Sequence, residues 1–298
     1  MSPLAPALRR GLGLALLLLL MALPARSEPR TLVITDELQL GLAEAFMAEG
    51  EYYRAITEYK TFLYFFPDSP RTDYAHLQIG MAYYHGGECP QAIAAFARVR
   101  QSYPSDHFAT AAFYEGVCRV RLGEPAAAGA DFERVLAAGP ASPQAPEALA
   151  GLALTALDRQ DWAASRQALQ RLADNYPADP HSMAARDALP LLEVAESRPR
   201  KSPALAGTLS ALVPGSGYAY AGRYRDGLMA FLVNGLFIAG TAVAIDHDNV
   251  PAAALLGGIG LPFYLGNIYG AVNAARQWNL SIARDLRDDL VVRLDFHY

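Results

Sequence analysis

At 298 residues the chain has room for about two domains. It is 52% hydrophobic and 18% charged, with a formal net charge of −5. No global basic field exists to hold nucleic acid, which excludes that partner class. A charged fraction below the ~25% of ordinary globular chains raises the question of segments that leave water.

The first thirty residues have the three parts of an export signal. Arg9 and Arg10 are the positive region, Gly11 to Leu23 is an apolar core of thirteen residues, and Ala25-Arg26-Ser27 offers small residues before a cut. Cleavage after Ser27 is expected, with Ala25 as the alternative site, so 1–27 is assigned as a signal peptide. An uncleaved anchor is the competing reading. Thirteen residues fall short of the ~20 that a spanning helix needs. No cysteine lies near the cut to carry a lipid.

Prolines then close four similar stretches at Pro67, Pro104, Pro140 and Pro177, spaced by 37, 36 and 37 residues. Gly50, Gly87, Gly123 and Gln160 keep step as turn residues. So do the small residues Ala43, Gly80, Gly116 and Ala153, and the large ones Tyr59, Phe96, Phe132 and Leu169. Four markers in register over four cycles predict a repeat architecture. Each unit reads as a helix, a turn and a second helix, with the small residue letting the two helices approach closely. Neither helix buries its apolar stripe alone, so the units must stack. The expected units are 36–68, 73–105, 109–141 and 146–178, within a solenoid over 36–195. Glu115 and Arg119, four apart on the first helix of the third unit, read as a partly exposed ion pair.

The small residue, the aromatic three further on (Phe46, Tyr83), the turn glycine, the Ala-Ile pairs at 55–56 and 92–93 and the closing proline resemble the tetratricopeptide repeat. The first two units resemble bacterial envelope repeat proteins of the BamD and YbgF (CpoB) type. The resemblance implies an α-solenoid that binds protein partners of the envelope. Such solenoids bind through the inner face lined by first helices. In the second unit that face carries Tyr74, Leu77, Met81 and Tyr84, and in the third Phe113 and Val117, each with core packing as the alternative role. Tyrosine suits interfaces because it is large, fairly rigid and amphipathic.

Cys89 opens one helix and Cys118 lies late on the next, so an antiparallel stack brings both to one edge. An exported chain with two cysteines permits a disulfide between them, with two buried thiols as the alternative. The six histidines are scattered, and no CxxC pair, nucleophile elbow or phosphate loop is present. The sequence therefore nominates no catalytic residue, no metal and no cofactor, and the chain is not expected to be an enzyme.

Residues 196–203 form a basic, proline-broken linker. Within the module at 204–280, Gly227 to Ile245 is nineteen residues without a charge and Val250 to Val272 is twenty-three, both suited to crossing a bilayer. Gly235-x-x-x-Ala239 and Gly266-x-x-x-Gly270 are small pairs of the kind that bring helices together in lipid. The stretch 204–221 is a third span or an interfacial or re-entrant helix. Two spans put Arg223, Arg225 and Arg276 on the side of the repeats; three spans put them in the cytoplasm, as the positive-inside tendency prefers. Pro214, Gly215, Gly217, Tyr220, Gly222 and Gly227 resemble the opening of TM2-like and DUF5683-like two-helix membrane modules. With Arg223 and Arg225 they read as a membrane-surface hinge: glycines for a tight turn, tyrosines at the interface, arginines at lipid phosphates. The tail 281–298 ends in LVVRLDFHY, whose alternation has the period of a strand.

The expected fold is all-α: a tetratricopeptide-type solenoid followed by a transmembrane hairpin of two spans, or three. The expected function is a non-catalytic envelope scaffold, exported and anchored in the inner membrane or, as the alternative, the outer, with its repeats in the periplasm. Its partners would be envelope proteins at the repeat face and the bilayer at 204–272. The alternative makes the module part of a transport or lipid-handling assembly that the repeats regulate.

Overall fold

The computed structural model describes residues 32–102 and 107–298. The export signal read over 1–27 lies outside the described residues, as does Pro104. Among the described residues there are thirteen helices and no strand.

Four antiparallel helix pairs come first. They are α1 (Asp36–Ala48) with α2 (Tyr52–Phe65), α3 (Thr72–His85) with α4 (Cys89–Ser102), α5 (Phe108–Arg121) with α6 (Pro125–Ala138), and α7 (Ala145–Asp158) with α8 (Trp162–Asn175). The turn inside each pair is made by one left-handed residue: Gly50, Gly87 and Gly123 at φ 77°, 79° and 73°, and Gln160 at φ 58°. Glycine takes that conformation without a Cβ penalty, and Gln160 is the one that does not. The side chain of Thr35 caps α1 by accepting from Leu38 N–H, and Asp161 caps α8 by accepting from Ala164 N–H.

Packing inside the pairs follows the small-large rule. A Cβ on Gly80 would stand 2.5 Å from the Phe96 ring, and one on Gly116 would stand 2.7 Å from the Phe132 ring. Phe132 also fills the space left by Gly151 of the next unit, where a Cβ would come within 2.6 Å. One aromatic ring thus locks two repeats together. Tyr59, Phe96, Phe132 and Leu169 are all sealed from solvent. First helices of successive units pack on one another, α3 on α5, α5 on α7 and α7 on α9 (Pro180–Ser197), and so line the inner face.

After α9, which closes the stack, come α10 (Pro203–Leu212), the short α11 (Ser216–Tyr220), α12 (Tyr224–Asp246) and α13 (Val250–Arg293). Helix α13 is 44 residues long, about 66 Å at 1.5 Å per residue. Its first half pairs with α12 and carries α10 and α11; its second half returns to the solenoid and packs on α7 and α9.

That course corrects the strand reading of the tail. Residues up to Arg293 are helical, and Ile282, Leu286, Leu290 and Leu294 are buried against the solenoid at steps of four. Four-residue spacing puts them on one helical face, and the burial they gain there outweighs the local alternation of LVVRLDFHY. Only the last few residues leave the helix, and there Phe296 inserts its ring edge-on beside Phe113 and Phe132, at 6.4 and 6.0 Å between centroids.

Candidate functional site

The inner face divides into a filled half and an open half. In the fourth unit it is occupied by the chain's own C-terminal helix, held by the apolar stripe above and by Arg287, whose Nε lies 3.3 Å from Asp158, and in the third unit Phe296, beyond that helix, lies against Phe113. Phe113 lies beside Phe296, Val117 is sealed in the same core, and Leu77 is buried between α3 and its neighbours. These three residues hold the fold and are not presented to solvent. Tyr74, Met81 and Tyr84 remain half-buried at the open end. Tyr74 donates to Glu44 of α1 (3.0 Å) beneath the Arg71 guanidinium, and Tyr84 packs edge-on to Tyr114 (4.9 Å) under Arg121. The open surface is therefore a row of aromatic rings already set in fixed orientations.

Glu115 and Arg119 prove to be part of a buried network, correcting their reading as a partly exposed pair. The Glu115 side chain is 1% exposed and that of Asp131 0%. Glu115 meets Arg100 at 2.8 Å and Arg119 at 3.1 Å, while Asp131 meets Arg119 at 2.7 Å and also pairs with Arg134. The spacing on α5 was visible in the sequence; the partners on α4 and α6 were not, because they come from other helices. Burial, and then the neighbouring Glu115 charge, push the Asp131 carboxyl up to about 6. Its folded value thus lies above its ordinary one. Between about pH 6 and pH 4 the folded chain binds more protons here than the unfolded chain, so this group adds stability as the pH falls. Thermal midpoints of the full chain and of Asp131→Asn, measured from pH 7 to pH 4.5, should diverge in that sense. The parent should gain on the variant with acid; a parent that instead loses ground would contradict the raised value.

Cys89 and Cys118 do meet at one edge of α4 and α5. The structure carries them as two buried free thiols in place of the bridge. Burial, with a hydrogen bond between the two, pushes the Cys118 thiol far up, so it is a poor thiolate.

The glycine motif turns out to be a packing device. Gly215 sits at φ 85°, and a Cβ there would be 2.0 Å from the Gly227 carbonyl oxygen. A Cβ on Gly217 would be 2.0 Å from the Ala206 carbonyl oxygen, and one on Gly227 would be 2.7 Å from that of Gly215. Backbones therefore touch where α11 crosses α10 and where α12 leaves the turn. Pro214 sits at that turn, between the end of α10 and Gly215. The freed backbone groups are met by α13. Gly215 N–H donates to Asn267 Oδ1 (2.9 Å), Asn267 Nδ2 donates to the Ser210 carbonyl (3.0 Å), and the Tyr264 hydroxyl donates to the Ala211 carbonyl. Neither of the small pairs expected to join the two long helices does so. Nothing lies within 4 Å of a Cβ on Gly235 or Gly266, and Gly270 makes room for Tyr218; the close approach is at Gly260, against Phe237.

The linker is pinned as well. Asn279 of α13 accepts from Lys201 N–H and donates to its carbonyl, both at 2.8 Å. Ser202 N–H donates to the Tyr220 hydroxyl at 3.0 Å, and Trp278 lies against the turn at Gly222. A hinge reading of 214–227 does not fit such a set of fixed contacts. Asn279 and Trp278 lie beyond the apolar run, and nothing in the sequence signals their reach across 78 residues.

Helices α12 and α13 are each long and apolar enough to cross a membrane. Only 11% and 17% of their most apolar stretches are buried, which is unlike core helices. Leu232, Leu236, Ile238, Leu255, Leu261 and Leu265 all face outward. Apolar surface so extensive marks a contact with lipid or protein.

The fold and the repeat packing over the solenoid are those of tetratricopeptide-type repeats. A family model described as tetratricopeptide repeat matches residues 77–143 and 119–180. Among solved structures, the chain is similar to a tetratricopeptide repeat protein from Parabacteroides merdae ATCC 43184. There the identity is 12% and the TM-score 0.47, over 81% of this chain and 98% of that one. It is also similar to PilW, a widely conserved type IV pilus biogenesis factor, at 21% identity and TM-score 0.39, over 74% and 90% of the two chains. No curated protein matches.

Proposed function

We propose that this chain is a non-catalytic scaffold of the bacterial cell envelope. Its α12–α13 pair anchors it in a membrane, and the open inner face around Tyr74, Met81 and Tyr84 captures protein partners. The observation that carries this reading is α13 itself. One helix leaves the apolar module and ends inside the solenoid, so whatever fixes the module also fixes the groove. A flexible linker would have left the two independent.

In a bilayer the parts fit by length. Helix α12 is 23 residues, about 34 Å, against a hydrocarbon core of ~30 Å. Helix α10 has ten residues, about 15 Å, and reaches half-way. There the chain turns at Val213-Pro214-Gly215 and returns through α11. This segment is thus a re-entrant hairpin, not a third span. Irregular backbone at that depth is tolerated only where protein meets its polar groups, which Asn267 and Tyr264 do.

Capture by the full chain in mild detergent, with envelope extract as the source, tests the groove. Replacing Tyr74, Met81 and Tyr84 together by alanine should lower recovery of the specific partner about tenfold or more, since aromatic anchors dominate interfaces. Unchanged recovery would remove the groove from the proposal.

The N-terminal segment supports a periplasmic solenoid. One observation favours the opposite sidedness: two spans leave Arg198, Arg200, Lys201, Arg223, Arg225 and Arg276 on the solenoid side, with Asp246 and Asp248 on the far turn. The positive-inside tendency would then place the repeats in the cytoplasm. Protease added to intact spheroplasts separates the two, because it degrades a periplasmic solenoid and spares a cytoplasmic one.

A further inference from the structure

The junction between solenoid and module concentrates charge that the chain does not neutralise. The Lys201 backbone is held in place by the pair of hydrogen bonds it exchanges with the Asn279 side chain, and its Nζ stands over the rings of Tyr220 (4.9 Å) and Trp278 (5.3 Å). Trp278 in turn lies on Gly222, which sets Arg223 beside the same cluster and 6.0 Å from the Tyr218 ring. Arg223 pairs with Asp226, the only carboxylate between 198 and 227. Arg225 and Arg276 are exposed, and among the described residues neither meets a carboxylate. The junction thus has several cations, one anion and three aromatic rings, with Lys201 and Arg223 held by contacts that the repeats do not need.

The depth of this collar identifies its ligand. Trp278 lies six residues beyond the apolar run that ends at Val272, about 9 Å along the helix, and Tyr220 and Arg223 immediately precede α12. That is the level of the headgroups, where tryptophan and tyrosine rings settle and basic side chains meet phosphates. We propose that Lys201, Arg223, Arg225 and Arg276, with Trp278 and Tyr220, form a binding collar for an anionic phospholipid headgroup. The clamp of Asn279 on Lys201 makes it preorganised. The site rests on the membrane reading above and deepens it: the anchor selects a class of lipid as well as crossing the bilayer. A phosphate free in solution has the same oxygen chemistry. The rings and the flanking apolar helices favour the lipid, whose acyl chains continue along α12 and α13.

Native mass spectrometry of the detergent-solubilised full chain tests the collar. It is titrated with dioleoylphosphatidylglycerol, with dioleoylphosphatidylcholine and, separately, with inorganic phosphate. Phosphatidylglycerol should bind at least about tenfold more tightly than phosphatidylcholine. Replacing Lys201, Arg225 and Arg276 together by glutamine should weaken it further, by about fivefold for each cation removed. The glutamines keep the side-chain stems, and Lys201 keeps its backbone contacts, so an unchanged helical signal and elution volume accompany the loss. Equal binding of the two lipids, an unaltered affinity in the triple variant, or inorganic phosphate displacing the lipid at similar concentration would each overturn the collar. A chain that is monodisperse without detergent would instead overturn the membrane reading, so the two failures are distinguishable.

Discussion

Replacing Phe132 by alanine should lower the stability of the solenoid by about 3–5 kcal/mol, the usual cost of deleting a buried phenylalanine ring and leaving its cavity. The position is unusually exposed to that penalty. The ring is sealed from solvent, sits against the bare backbones of Gly116 and Gly151, and touches both Phe113 and Phe296. Gly116 and Gly151 have no side chains with which to fill the space on their sides. The unfolding midpoint of the full chain in detergent should fall by roughly 10 °C or more. Phe296 loses one of its ring partners in the same variant, so cleavage by carboxypeptidase or by a protease acting near the C-terminus should accelerate. Tyr64→Ala is the matched control, because that ring is 79% exposed and its loss should change stability by less than about 0.5 kcal/mol. Equal behaviour of the two variants would remove Phe132 as the lock between units.

Gly215→Ala should be comparably damaging to the module. Two costs add there. The residue sits at φ 85°, where a Cβ costs ~1–2 kcal/mol. The new methyl would also stand 2.0 Å from the Gly227 carbonyl oxygen, so the turn or α12 must move. Movement pulls Gly215 N–H from Asn267, and a backbone donor left unpaired away from water adds a desolvation penalty. The expected outcome is a marked loss of monodisperse protein in detergent and a lower thermal midpoint. Gly235→Ala, in open space on α12, should match the parent or exceed it slightly, as alanine is the better helix former. If Gly215→Ala purified and melted like Gly235→Ala, the tight crossing would not be what holds the module together.

Much of the solenoid is legible in the sequence for a simple reason. Its restraints are local and repeat: a left-handed turn residue, a small residue seven before it and a large one nine after it recur at positions such as Gly87, Gly80 and Phe96. What stays hidden is set by contacts between distant segments. Glu115 looked like a surface residue because its partners Arg100 and Asp131, which lies on α6 and reaches it through Arg119, are on other helices. Leu286, Leu290 and Leu294 sit in a charged run, ARDLRDDLVVRL, whose stripe shows only against α7 and α9. The module was readable as two long apolar runs, but the double grip of Asn279 on Lys201 was not, since single asparagines give no periodic signal. Asn267 was visible as a rare polar residue in an apolar run, and its task became clear only beside the broken backbone at Gly215.

Alkaline carbonate extraction of membranes from cells making the full chain addresses the anchoring most directly. A pair of spanning helices joined rigidly to the repeats predicts that solenoid and module remain together in the membrane pellet, and that only detergent releases them. Recovery of the intact chain in the carbonate supernatant would contradict a spanning anchor and, with it, a groove held at the membrane by α13.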